Sequence, residues 1–201
     1  MSLTTYPHLA KAPAKAAPLV FAFHGTGGDE HQFFGLIEQI LPTAGIISPR
    51  GDVSEQGANR FFRRTGEGVY DMPDLALRST RMAAFLHAHK AANPGAPIYG
   101  LGYSNGANIL AAVLFTNPGL FDRAVLMHPL IPWTPAANPA LKATEILITV
   151  GKRDPICPLP LTQSLERYFT AQGSQTTLVL HDGGHEVRQP ELDAITTFLQ
   201  A

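Results

Sequence analysis

The sequence predicts an α/β protein with a mostly parallel central sheet of about six or seven strands and helices on both faces. Three observations carry this expectation. Short, continuously apolar runs such as Leu19-Val20-Phe21-Ala22-Phe23 suit strands buried on both faces. These runs alternate with longer stretches in which apolar residues recur at helical spacing. The breaks between them fall at Pro42, Asn93-Pro94-Gly95 and Asn117-Pro118-Gly119, residues that terminate helices or open turns.

Taken in order, residues 1–17 are rich in Ala, Pro and Lys and read as a loosely held N-terminal arm able to add one edge strand. Residues 18–201 read as a single domain. Strands are expected at 19–23, 45–48, 98–102, 123–127, 145–150 and 176–180. After the first, Phe33, Phe34, Ile37, Ile40 and Leu41 form a helical stripe with Asp29 available as its cap. Residues 50–71 hold many glycines and arginines without periodicity and read as a long loop. Asp71-Met72-Pro73 has the form of a helix start, and the apolar face that follows runs to about Ala92. Further helices are expected at about 105–115, 161–171 and 191–199. The proline-rich stretch 131–139 is expected to be an irregular connection too short for a lid domain.

Composition narrows the function classes. Fifteen basic and sixteen acidic residues leave a formal net charge of −1, without the clustered positive charge that nucleic-acid partners require. The single cysteine, Cys157, forbids an internal disulfide and any multi-thiolate metal site. Lys11, Pro13, Lys15 and Pro18 interrupt the N-terminal segment, so it does not read as a signal peptide. No apolar run approaches a membrane span. The expectation is a cytoplasmic enzyme that needs neither a metal nor an organic cofactor.

The sharpest motif is Gly102-Tyr103-Ser104-Asn105-Gly106, a G-x-S-x-G pattern between an expected strand and an expected helix. A serine on such a turn is exposed at the sheet edge, and the following helix N-terminus favours developing negative charge. Its partners should follow in the order acid, then histidine, each after a later strand. Asp154 lies just beyond the 145–150 strand and His185 beyond the 176–180 strand. His181 competes for the base role, but it continues the strand and reads as a packed or capping residue. Asp182 is too near His185 to orient it, and Asp122 precedes a different strand. Oxyanion donors are expected from the backbone N–H groups of Asn105 and Thr26, with Gly27 the next candidate. His24 is expected to support that loop.

Four segments, His24–Glu30, Pro49–Asp52, Phe61–Arg64 and Gly102–Asn108, together with Gly-x-x-Asp-Pro and Gly-Gly-His, carry a wider resemblance. The chain resembles the carboxylesterase/phospholipase-type small bacterial serine esterases of the α/β-hydrolase superfamily over about residues 19–199. The resemblance implies the α/β-hydrolase fold, the Ser104–His185–Asp154 triad, the oxyanion donors and a small ester substrate. Dienelactone hydrolases share the fold but usually carry cysteine as nucleophile, where this chain has Ser104. Cys157 reads as inert packing.

The substrate pocket is expected to draw on Gly27, Phe61, Phe62, Arg63 and Trp133. Two readings of Arg50, Arg60, Arg63 and Arg64 stand side by side. Either an arginine faces a carboxylate or phosphate on the substrate, or the four pair with local acids such as Asp52, Glu55 and Glu67. The expected activity is hydrolysis of small acyl or aryl esters through an acyl-enzyme. A thioesterase, a lysophospholipase or a non-catalytic ligand-binding protein are the alternatives. Small esterases of this kind often dimerise, so a homodimer is a further expectation.

Overall fold

The computed structural model describes residues 2–201. In chain order the elements are β1 (His8–Lys11), β2 (Leu19–Phe23), α1 (Phe34–Ile40), β3 (Gly45–Pro49), β4 (Val53–Glu55) and β5 (Ala58–Arg60). Next come β6 (Arg64–Gly66), β7 (Val69–Tyr70), α2 (Met72–Ala92), β8 (Ile98–Tyr103), α3 (Asn105–Thr116) and β9 (Arg123–Met127). A 3-10 turn (Pro139–Ala143), β10 (Glu145–Gly151), α4 (Leu159–Ala171), β11 (Thr176–His181) and α5 (Gln189–Gln200) complete the chain. Seven strands form one sheet in the order β1-β3-β2-β8-β9-β10-β11. Every neighbouring pair is parallel except β1 with β3. This is the α/β-hydrolase arrangement.

The continuous apolar runs have a direct explanation in the two cores. Along β2, Leu19, Phe21 and Phe23 face a core shared with α2, α3 and α4, while Val20 and Ala22 face one shared with α1 and α5. With both faces covered, polar residues have no place along β2, and all five of its residues are buried. Helix α3 is enclosed in the same way, with residues 105–114 all buried. It is apolar nearly all round because it has no solvent face. Helix α2 begins as expected: the Asp71 side chain accepts the Asp74 N–H at 3.0 Å, and Pro73 sits in the first turn.

Three expectations need correction. The N-terminal arm adds the expected edge strand, β1 beside β3, but it is not loose, since Tyr6 is buried against Phe85. Helix α1 starts at Phe34, not near Asp29, whose carboxylate instead closes a local turn by accepting the His31 N–H at 2.9 Å. The segment read as a long loop contains two hairpins, β4–β5 and β6–β7. The first turns through Gln56 and Gly57, both at positive φ (52° and 88°), the signature of a two-residue hairpin turn. Glutamine in place of the usual asparagine hid that signal. Between β9 and β10 the chain carries only the 3-10 turn. Among the described residues, no helix is long and apolar enough to cross a membrane.

Candidate active site

Ser104 sits between β8 and α3 with φ 53° and ψ −115°, a conformation that costs an L-residue about 1–3 kcal/mol. Its N–H is held by the Met127 carbonyl at 2.9 Å, which ties the turn to the neighbouring strand β9. A Cβ on Gly102 would meet the Gly106 carbonyl oxygen at 2.5 Å, so the strand can approach the helix this closely only without a side chain.

The other two triad candidates come from adjacent strands. Because β10 and β11 are neighbours, the loops that leave their C-terminal ends run together. Lys152 N–H bonds the His181 carbonyl and Arg153 N–H the Gly183 carbonyl, both at 2.9 Å. This juxtaposition sets His185 Nδ1 2.7 Å from Asp154 Oδ2 and His185 Nε2 2.9 Å from Ser104 Oγ. The Tyr103 hydroxyl donates to the His185 carbonyl at 2.5 Å, fixing the His185 loop to β8. Asp154 Oδ1 accepts the N–H groups of Ile156 and Cys157, each at 2.8 Å. Burial alone would raise the Asp154 carboxyl. The hydrogen bonds from Cys157 N–H, His128, His185 and Ile156 N–H outweigh it and hold the group below the ordinary range. Cys157 is therefore more than filler, since its backbone orients the acid. Burial pushes its thiol well up, so it stays protonated.

His181 and His24 take the supporting places expected of them. His181 Nδ1 accepts the Gly183 N–H at 3.0 Å, and His24 Nε2 accepts the Gly51 N–H at 2.9 Å. One residue was missed from the sequence. His128, completely buried and at φ 49°, follows β9 and places Nδ1 2.7 Å from the same Asp154 Oδ2. The available signal was its position, directly after a strand beside the nucleophile strand and at the same sheet edge.

A cavity of about 590 Å³ opens over Ser104 and His185, with Thr26 and Asn105 beside them. Its lining mixes apolar residues, Leu130, Pro132, Ile156 and Leu161, with polar ones, Arg60, Arg64, Glu67 and Tyr70. Tyr70 is locked into that lining: its hydroxyl donates to the Leu130 carbonyl at 2.7 Å and accepts from Asn108 Nδ2 at 2.8 Å.

The structure places the five expected pocket residues elsewhere. Phe61 and Phe62 are buried in the core against Phe23 and Tyr70, because adjacent large apolar side chains lose more by facing water than by packing. Gly27 does not line the cavity; it stands at φ 80° with its N–H bonded to the Asn59 carbonyl. Arg63 lies outside, paired with Asp71 and Asp74, and Trp133 packs on Tyr70 and Phe115. The arginines largely serve local acids. Arg60 and Arg64 share Glu55, and Arg50 grips Glu30 through two contacts of 2.5 Å. Asp52 goes instead to Arg78 and Arg81 of α2.

The Arg50 pair pulls the Glu30 carboxyl down to about 2. A carboxyl depressed on folding contributes stability above its unfolded pKa and loses it as pH falls toward the folded value. Asp154 and Glu191 are lowered as well and act in the same direction. The Tm is therefore expected to fall as pH drops from about 4.5 towards 2. In thermal melts across that range, Glu30→Gln should flatten part of the slope. Identical slopes for variant and wild type would exclude the Arg50–Glu30 pair as a contributor.

Comparison with known proteins agrees with the fold. The model of the dienelactone hydrolase family matches residues 54–191, more than half of the chain. The chain belongs to the dienelactone hydrolase family. Among relatives, the Bacillus subtilis (strain 168) protein named "Putative hydrolase MhqD" is 36% identical over 179 residues, covering 87% of this chain and 88% of that one. The Agrobacterium tumefaciens protein Atu2452, of unknown function, is 54% identical with a TM-score of 0.95, covering 100% of this chain and 98% of that one. A Bacillus cereus carboxylesterase is 31% identical with a TM-score of 0.91, over 98% of this chain and 94% of the other. Membership of this hydrolase family agrees with the α/β-hydrolase resemblance read from the motifs.

Proposed function

We propose that the protein is a serine carboxylic ester hydrolase acting on small acyl or aryl esters through an acyl-enzyme. The observation that carries this is the unbroken chain from Ser104 Oγ through His185 (2.9 Å) to Asp154 (2.7 Å), with Ser104 and His185 lining the cavity. Ser104 Oγ attacks the acyl carbon as His185 Nε2 takes its proton. The same proton then passes to the leaving alcohol, and Asp154 holds the imidazole in the tautomer this requires. Water repeats the sequence and frees the acid.

The developing oxyanion is received by the backbone N–H groups of Thr26 and Asn105. Both side chains are committed elsewhere, which steadies the donors. Thr26 Oγ1 accepts from Arg60 at 2.8 Å, and Asn105 Oδ1 accepts the Phe61 N–H at 2.8 Å. The mixed lining suits a compact ester with an apolar acyl or aryl part, and the likeness to the Bacillus cereus carboxylesterase supports the same reading. Two measurements test it. Turnover of a p-nitrophenyl ester series should peak at short to medium acyl length, and a fluorophosphonate should label Ser104 in a mass-spectrometric peptide map. A label elsewhere, or none in an enzyme that turns the esters over, would overturn the assignment.

A further inference from the structure

Beneath the triad lies a group of buried polar side chains that acyl transfer by Ser104, His185 and Asp154 does not require. His128 and Glu191 have no exposed surface. His128 Nδ1 lies 2.7 Å from Asp154 Oδ2, the oxygen that also receives His185, and His128 Nε2 lies 3.1 Å from Glu191 Oε1. Glu191, from α5, accepts the Thr149 hydroxyl at 2.6 Å and the Arg188 N–H at 2.9 Å. His181 Nε2 lies 3.0 Å from Glu191 Oε2. The two contacts from ring Nε2 atoms to Glu191 are close but do not have hydrogen-bond geometry.

These contacts fix the protons. The Nδ1 lone pair of His181 receives the Gly183 N–H, so in the neutral ring the proton is on Nε2, facing Glu191. That leaves no lone pair for a cation, although His128, His181 and Glu191 have the spacing of a metal site. His128 has no neutral option that suits both neighbours. Each ring nitrogen faces a carboxylate oxygen, and a lone pair on either would meet negative charge. Protonating both nitrogens also supplies a counterion to two carboxylates that are otherwise buried without one. Burial works against that charge, but the contacts to Glu191 and Asp154 prevail and raise the His128 pKa.

We propose that His128 is a positioning residue held as an imidazolium, which shares Asp154 Oδ2 with His185 and so opposes a second positive charge on the neighbouring His185 ring. The proposal rests on the Ser104–His185–Asp154 reading above. Its sign follows from charge: a cation whose ring lies 5.0 Å from the His185 ring disfavours a second cation there. The remaining titratable neighbours of His128 are His181, the Tyr103 ring at 5.6 Å and the Cys157 thiol, which donates to the His128 carbonyl at 3.0 Å. Burial raises Tyr103 to about 12 and Cys157 higher still, so neither ionises in the acid range.

The test is the pH profile of kcat/KM for p-nitrophenyl acetate with wild type and His128→Asn, asparagine being tolerant of the positive φ. The acid limb of the variant should move up by about one pH unit or more, with kcat falling more than KM rises. An unmoved limb in a folded variant overturns the proposal. Nitrogen-15 NMR of histidine-labelled wild type and Ser104→Ala reads the same feature without turnover or a folded His128 variant. Both His128 nitrogens should be protonated at pH 7, and a neutral ring would overturn the proposal. Failure of wild type to hydrolyse esters would instead count against the Ser104 reading, leaving the NMR result to decide His128.

Discussion

Replacing Ser104 with alanine is expected to lower kcat for p-nitrophenyl esters by about 10⁴–10⁶-fold while changing KM far less. The substitution removes the attacking oxygen and leaves the rest of the site in place. His185 keeps its bond to Asp154, and the cavity walls do not depend on the hydroxyl. Serine and alanine share the β-carbon that strains the turn at φ 53°, so the variant should melt close to wild type. A residual rate well above the uncatalysed one is expected, because the oxyanion donors and binding contribute without the nucleophile. Steady-state kinetics with active-site titration reads the effect. Turnover within about tenfold of wild type would remove Ser104 from the mechanism.

The largest effect on folding is expected at Gly106, the second residue of α3. A Cβ there would lie 2.3 Å from the Phe23 carbonyl oxygen and 2.5 Å from that of His24. Both obstacles are backbone, at the end of a central strand bonded on either side, so neither can yield as a side chain would. Gly106→Ala should cost about 3 kcal/mol or more, an overpacking penalty at the high end, and lower Tm by roughly 6–12 °C. Helix α3 would be driven off β2, and the Ser104 turn would separate from the Thr26 loop, so activity should fall with stability. Gly35 in α1 is the control: nothing lies within 4 Å of its added Cβ, and alanine there should be neutral or mildly stabilising. Urea unfolding of the pair decides it, since equal stabilities would mean that the helix and strand do not meet as closely as described.

That Ser104, Asp154 and His185 meet is legible in the sequence because their placement depends on chain order and on backbone elements that leave strong marks. A nucleophile turn needs a strand before it and a helix after it, and the acid and base need only follow the right strands. His128 and Glu191 leave no such marks. His128 acts through a left-handed backbone after β9 that aims its ring inward, and Glu191 reads as an ordinary acidic residue in the first turn of a helix. The pocket was misjudged for a related reason. Phe61 and Phe62 looked like a binding surface in a loop, but hairpins β4–β5 and β6–β7 turn both into the core and bring Arg60, Arg64 and Tyr70 to the cavity. Which side of a short hairpin faces the site is set by register, and register depends on a turn whose positive-φ glutamine gives little warning.

The contrast between α3 and the loops behind β10 and β11 bears on how the molecule ages and fails. Ser104 is anchored to a helix with ten consecutive buried residues, whereas His185 rides on a loop where Asp182 is exposed and Gly184 and His185 are half-buried. Segments with little buried surface open at lower free energy than the core that carries them. Heat or denaturant would therefore first part the imidazole from the serine while the sheet and α3 stay intact. Activity is then expected to fail before the sheet on heating, and stiffening that loop is expected to prolong function.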